Sequence, residues 1–205
     1  MSAVETIPQQ KRDARERILD TAYELFSRRG IRDVGVDEVI AQAGVAKATL
    51  YRHFPSKDDL VIAFLERRAE RWTLGWVAAE ASRRGATPEE QLLAIFELFD
   101  EWFHRDDFEA CSFVNVLLEL GLAHPAGQAS VRHLASIRSI VGGLAEEAGL
   151  CDPESFARSL HILMKGSIVS AAEGDAEAAQ RARSMAALLI EQHRGHRVDV
   201  PSAQL

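Results

Sequence analysis

Apolar residues recur along most of this chain at intervals of three and four, the spacing that lays a single stripe along an α-helix. Ile18, Ala22, Leu25 and Phe26 stand at i, i+4, i+7 and i+8, which predicts a first helix over 11–29, closed by Gly30. Short helices are predicted over 37–43 and 47–53; the Gly44-Val45-Ala46 step between them has room only for a tight turn. Polar start signals set the later boundaries. Ser56 followed by Asp59 has the form of a capping box, opening a fourth helix that can run to about 84. Thr87-Pro88-Glu89-Glu90 repeats that signal with proline at the first helical position, and Asp152-Pro153-Glu154 pairs an Asx cap with proline. Further helices are predicted over 88–104, 107–121, 125–148, 153–173 and 176–194, followed by a polar, flexible tail over 196–205. No convincing run of alternating β-branched residues appears, so the expected fold class is all-α, with about nine helices.

The segment from Val36 to Phe54 carries the chemistry. Val39, Val45, Leu50 and Phe54 supply an apolar inner face, and Gly44 permits the sharp turn. The opposite face of the third helix is Lys47, Ala48, Thr49, Tyr51, Arg52 and His53. All but Ala48 can donate hydrogen bonds, which suits a helix lying in a DNA major groove. This stretch resembles the TetR-type repressor family, whose pattern runs I-A-x-x-A-G-V-S-x-x-T-L-Y-x-H-F-x-S-K-x-x-L. Gly30, Val39 through Phe54, Ser56, Lys57 and Leu60 match it, and the specific resemblance covers about 12–65.

The resemblance implies an N-terminal three-helix helix-turn-helix DNA-binding domain (1–58) and a C-terminal helical ligand-binding and dimerisation domain (59–195). It implies that Tyr51, His53 and Lys57 contact phosphates, with Lys47, Ala48 and Thr49 at or near base edges. Arg52 belongs to the same face. Lys11, Arg12, Arg15 and Arg17 would approach the backbone or an adjacent minor groove. Two positions depart from the pattern: Val34-Gly35 replaces the usual Thr or Ser cap of the second helix, and Ile40 replaces a usual Ala.

Charge qualifies the picture. The net charge is −7, yet residues 1–60 carry ten Lys/Arg against ten Asp/Glu, so the acidic excess lies wholly in the remainder. A neutral head tolerates DNA where an acidic body repels it. The N-terminus lacks a signal-peptide core, and no stretch approaches roughly 18 consecutive apolar residues, so the cytoplasm is the expected compartment. Cys111 and Cys151 lack metal or redox spacing and read as free thiols, with a redox role the alternative.

Beyond residue 60, Phe96, Phe99, Trp102, Phe103 and Phe113 are core residues or the lining of an apolar cavity, with Asn115, His133, His161 and Met164 as polar or soft groups to orient a ligand. The resemblance implies such a pocket, for an effector of unknown identity and largely apolar character. Gly166, Ser170 and Gly174, then Ala178, Ala182 and Ala186 beside Met185 and Leu189, place small stripes on the last two helices. Those stripes suit a two-fold helical interface or packing within one chain. No cofactor, metal or catalytic group is expected: His104-Arg105-Asp106-Asp107 and His193-x-x-His196 read as solvated helix ends. The rival reading, a helical interaction module without DNA binding, leaves the polar face of 47–53 unexplained.

Overall fold

The structure, a computed structural model, describes residues 13–194; Lys11 and Arg12 of the basic cluster and the 196–205 tail lie outside them. The helices are α1 (Ala14–Arg29), α2 (Val36–Ala43), α3 (Lys47–His53), α4 (Lys57–Arg68), a π-helical segment (Ala69–Ala78), α5 (Ala79–Arg84), α6 (Pro88–Phe103), α7 (Ser112–Leu120), α8 (Pro125–Glu147), α9 (Pro153–Ala172) and α10 (Ala178–His193). Among the described residues there is no β-strand, only an isolated bridge between Leu150 and Arg194. Among the described residues no helix is long and apolar enough to cross a membrane.

Local chemistry accounts for most boundaries. Ser56 and Asp59 form a reciprocal capping box at α4, and Thr87 and Glu90 form another at α6. Asp152, at φ 48°, caps α9 through the Ser155 amide. The expected helix over 107–121 begins later, at Ser112, because 104–111 turns: Phe108 N–H bonds the Arg105 carbonyl and Ala110 takes φ 59°. The run 57–84 is continuous, as its spacing predicts, but its middle is wound as a π-helix. A Cβ at Gly75 would stand 2.8 Å from the Glu70 carbonyl oxygen, so that winding suits glycine there.

Packing divides the chain into two compact units. One holds the chain up to Gly75 together with Glu109–Ala135; the other holds Trp76–Phe108 and the chain from Ser136 onward. This is a division by packing, whereas that into 1–58 and 59–195 is one of expected role. In the first unit, Ile18, Ala22, Val39, Leu50, Leu60 and Phe64 are fully buried, and Phe64 meets Tyr23 and Phe26 edge-on at 5.5 and 5.7 Å. In the second, α10 packs on α9 and α6. There Phe96, Phe99 and Trp102 form an edge-to-face chain at 6.1 and 5.9 Å.

Candidate nucleic-acid interface

The helix-turn-helix is built from one apolar contact set and one left-handed residue. Gly44 closes α2 at φ 62°, ψ 44°, a conformation that costs a side chain about 1–2 kcal/mol. The chain leaves it extended through Ala46 and starts α3. Leu50 anchors α3 with no exposed surface, and Phe54 buries directly after it. With Leu50 inward, Lys47, Ala48, Tyr51 and Arg52 are exposed, while Thr49 and His53 are half-buried at the sides. Tyr51 is 41% exposed, unusual for an aromatic with core available nearby. Lys47 Nζ lies 3.1 Å from Asp37 Oδ1, and this carboxylate, first by its hydrogen bond and then by its charge, raises the lysine above its ordinary pKa.

The neighbours of α3 are held by charge pairs. On α4, Arg67 is 11% exposed and donates to Glu16 at 2.6 Å and Asp20 at 2.8 Å, both on α1; Arg71 shares Asp20 at 3.0 Å. Arg68, itself buried, donates to the Tyr23 hydroxyl at 2.9 Å. Arg15 lies over the Phe54 ring at 5.3 Å and beside Glu16 at 3.5 Å. The α2 cap is Gly35 with no side-chain cap bond, as the departure from the family pattern predicts. Lys57, expected to contact a phosphate, donates its ammonium here to the Ile31 carbonyl, in the loop between α1 and α2. That loop is also held by Glu119 of α7, whose carboxylate accepts the Ile31 amide at 3.0 Å and the Arg32 amide. Sequence reasoning missed Glu119, Arg67 and Asp20, because their partners lie 47 to 88 residues away and no local pattern marks them.

The expected ligand residues fall into the two units. Phe113 and His133 lie in the first, with rings stacked at 5.1 Å, and burial holds His133 below its ordinary pKa despite the opposing charge of Glu66. Asn115, expected to orient a ligand, is exposed: two residues beyond the buried Phe113, it sits about 200° round α7. Phe96, Phe99, Trp102, the half-buried Phe103, His161 and Met164 lie in the second unit. His161 is 3% exposed, its Nδ1 lacks a hydrogen-bond partner, and burial, assisted by Lys165 and Arg138, pushes its pKa down to about 4.

The small-residue stripes also separate. Ala178 and Ala182 are buried inside the single chain, as is Ala186, so these are packing residues and not free interface. Gly166 is exposed and Ser170 half-buried. The accessible apolar side of α9 and α10 is instead Ile162, Met185 and Leu188, at 64%, 55% and 71% exposure, with Leu189 half-buried beside them. A shallow groove of about 320 Å³ runs among these four and Leu163.

Residues 18–64 match the family model described as bacterial regulatory proteins, tetR family. The solved structure of SCO4454, a TetR-family transcriptional regulator from Streptomyces coelicolor, is similar at TM-score 0.80 and 30% identity, over 89% of this chain and 96% of that one. Among curated proteins, the transcriptional activator FasR of Mycolicibacterium smegmatis is 34% identical over 94 residues, 46% of this chain and 42% of FasR. The transcriptional repressor KstR of the same species is 38% identical over 82 residues, 40% of this chain and 39% of KstR. Each match spans less than half of the curated relative.

Proposed function

Because this chain belongs to the TetR family of bacterial regulatory proteins, whose members bind DNA, form dimers and are not enzymes, we propose that it is a ligand-responsive repressor that binds a palindromic operator as a homodimer. The observation that carries this reading is the outward face of α3. Leu50 fixes the helix by its inner side, and the Gly44 turn leaves Lys47, Ala48, Tyr51 and Arg52 exposed. Thr49 and Lys47 are assigned to base edges and Tyr51 and His53 to phosphates, with Arg15 and the 11–12 pair alongside.

Residues 1–58 are the DNA-binding part in this reading, and 59–195 serve effector and dimer. The dimer pairs through the apolar side of α9 and α10, and a two-fold dimer that meets successive major grooves on one side of the duplex presents its two recognition helices roughly 34–40 Å apart, which makes the operator a palindrome. The effector is a largely apolar small molecule. Supporting this are the aromatic cluster around Phe99 and the buried, unbonded Nδ1 of His161, a polar handle in apolar surroundings. Release from DNA follows by linkage: an effector that weakens operator binding is itself weakened equally by the operator. Where the operator overlaps a promoter the bound dimer represses, the sense in which KstR is named; FasR, named an activator, illustrates the opposite sense.

The test is fluorescence anisotropy with duplex DNA from upstream of the protein's own gene, titrated against salt and random-sequence competitor. Binding of two chains per site that survives competitor is the expected result. Binding abolished by competitor at every salt concentration, or one chain per site, overturns the operator assignment. A promoter–reporter fusion that brightens when the protein is expressed overturns the repressor sense alone.

A further inference from the structure

The loop between α1 and α2 is held by two residues distant in sequence, Lys57 and Glu119. Gly30 leaves α1 at φ 80°, and a Cβ there would stand 3.3 Å from Glu119 Oε2, so the carboxylate reaches the backbone where there is no side chain in the way. Glu119 accepts the Ile31 and Arg32 amides, which are the donors the turn leaves without a backbone partner, while Lys57 donates to the carbonyl of the same Ile31 residue. Two further contacts join the stretch 109–124 to α1 and to the first turn of α4. Arg28 lies 3.6 Å from Glu109. His124 accepts the Ala126 amide at Nδ1, at 3.2 Å, which leaves Nε2 as its N–H donor toward Asp58 Oδ2 at 3.4 Å. The loop so gripped leads directly into the N-terminus of α2, which has no side-chain cap of its own.

We infer that Glu119 is a positioning residue for DNA binding: with Lys57 it clamps the Ile31 backbone, so that α7 sets where the α1–α2 loop, and with it the α2 N-terminus, stands when α3 meets DNA. This rests on the DNA-binding reading above. Glu119 itself touches no DNA in this scheme. A carboxylate suits the task because both its oxygens are acceptors and both face N–H groups. The arrangement also gives Lys57 a use different from the phosphate contact expected of it, since a loop displaced from Glu119 carries the Lys57 acceptor with it. Any change that moves the end of α7 is thereby felt by the head.

The test uses the full-length protein as wild type, Glu119→Ala and Glu119→Gln, with Glu97→Ala, from the exposed Glu97–Arg183 pair, as control. Amide exchange is followed through 30–34, and binding to upstream and random DNA is measured in parallel. Loss of a charge-assisted bond predicts exchange of the Ile31 and Arg32 amides faster by about tenfold in Glu119→Ala, with Leu50 and Leu60 amides unchanged. Glu119→Gln retains one acceptor oxygen and falls between. Selective affinity for upstream DNA drops by about tenfold in Glu119→Ala, random-DNA affinity by less than about twofold, and the control matches wild type. A loss that was merely structural would lower both affinities together and raise exchange at Leu50, which overturns the positioning role. Unchanged exchange at Ile31 overturns the clamp; faster exchange with unchanged selectivity overturns the positioning role. Wild type that itself fails to discriminate upstream from random DNA overturns the operator reading, and this inference with it.

Discussion

Replacing Arg67 with methionine removes the charge that ties α4 to α1 while keeping an apolar stem in its place. Arg67 is 11% exposed and donates to Glu16 at 2.6 Å and to Asp20 at 2.8 Å. A hydrogen bond to a charged group contributes about 1.5–3 kcal/mol where solvent is excluded. Glu16 is 41% exposed and Asp20 25%, and Asp20 keeps Arg71 at 3.0 Å, so both acceptors retain partial solvation after the change. Discounting for that solvation leaves a cost of about 2 kcal/mol, well short of an orphaned buried charge. The local readout is amide exchange in α1: at about 2 kcal/mol, protection around Ala22 falls by about thirtyfold, while α9 and α10 are unaffected. Arg67→Lys, a single point charge that cannot fork to both carboxylates, recovers about half of the loss. Pairing Arg67→Met with Asp20→Asn shows a coupling of about 1 kcal/mol. A fall in protection of less than about twofold, or additive effects in the double variant, would refute the idea that this fork holds α4 to α1.

Tyr51→Ala weakens binding to all duplexes alike and leaves the salt slope unchanged, because a neutral hydroxyl displaces no counterion, whereas Thr49→Ala changes preference at one base position by about 1–3 kcal/mol; operator selection unchanged by any substitution at 47–49 refutes the placement of α3. His161 is held near pKa 4 against an ordinary 6.5, so the unfolded chain takes up its proton first as pH falls. The protein is therefore fully stable, with respect to this group, above about pH 6.5, loses up to roughly 3 kcal/mol between 6.5 and 4, and levels off below; His133 is shifted the same way. His161→Leu flattens that limb of a urea-midpoint-versus-pH curve, and an unaltered slope sinks the assignment. Ile162→Glu with Leu188→Glu, on the exposed side of α9 and α10, yields a monomer in sedimentation with wild-type helicity. Retention of the dimer would mean that another face pairs.

The helix-turn-helix was legible because its determinants are neighbours in sequence. Gly44 must be left-handed where α2 hands over to α3, and Leu50 and Phe54 must face inward for the short helices to bury anything at all. The capping boxes at Ser56 and Thr87 are four-residue patterns and fell where the structure has them. The late start of α7 was not legible, since the turn at 104–111 depends on Ala110 adopting φ 59°, which no residue there advertises. The body was read less well. Asn115 was expected to orient a ligand as a polar group within an otherwise apolar segment, and its exposed position shows that α7 has a solvent side. Ala178 and Ala182 looked like a docking stripe, but small residues serve close approach within a chain as well as between chains.

By itself the sequence determined the helices, their order and the face that α3 turns outward, because periodicity and capping act over three or four residues and the chain carries both partners side by side. Only the tertiary structure decided which partner each polar group takes. Glu119 finds the Ile31 amide 88 residues away, Arg67 finds Asp20 47 away, and Lys57 turns to a loop carbonyl. It also decided which side of α9 and α10 is used up within the chain, leaving Ile162, Met185 and Leu188 open. The physical reason is common to these cases: a local pattern constrains which groups need a partner, while the choice among distant partners is made by packing, which brings together residues with no relation along the chain.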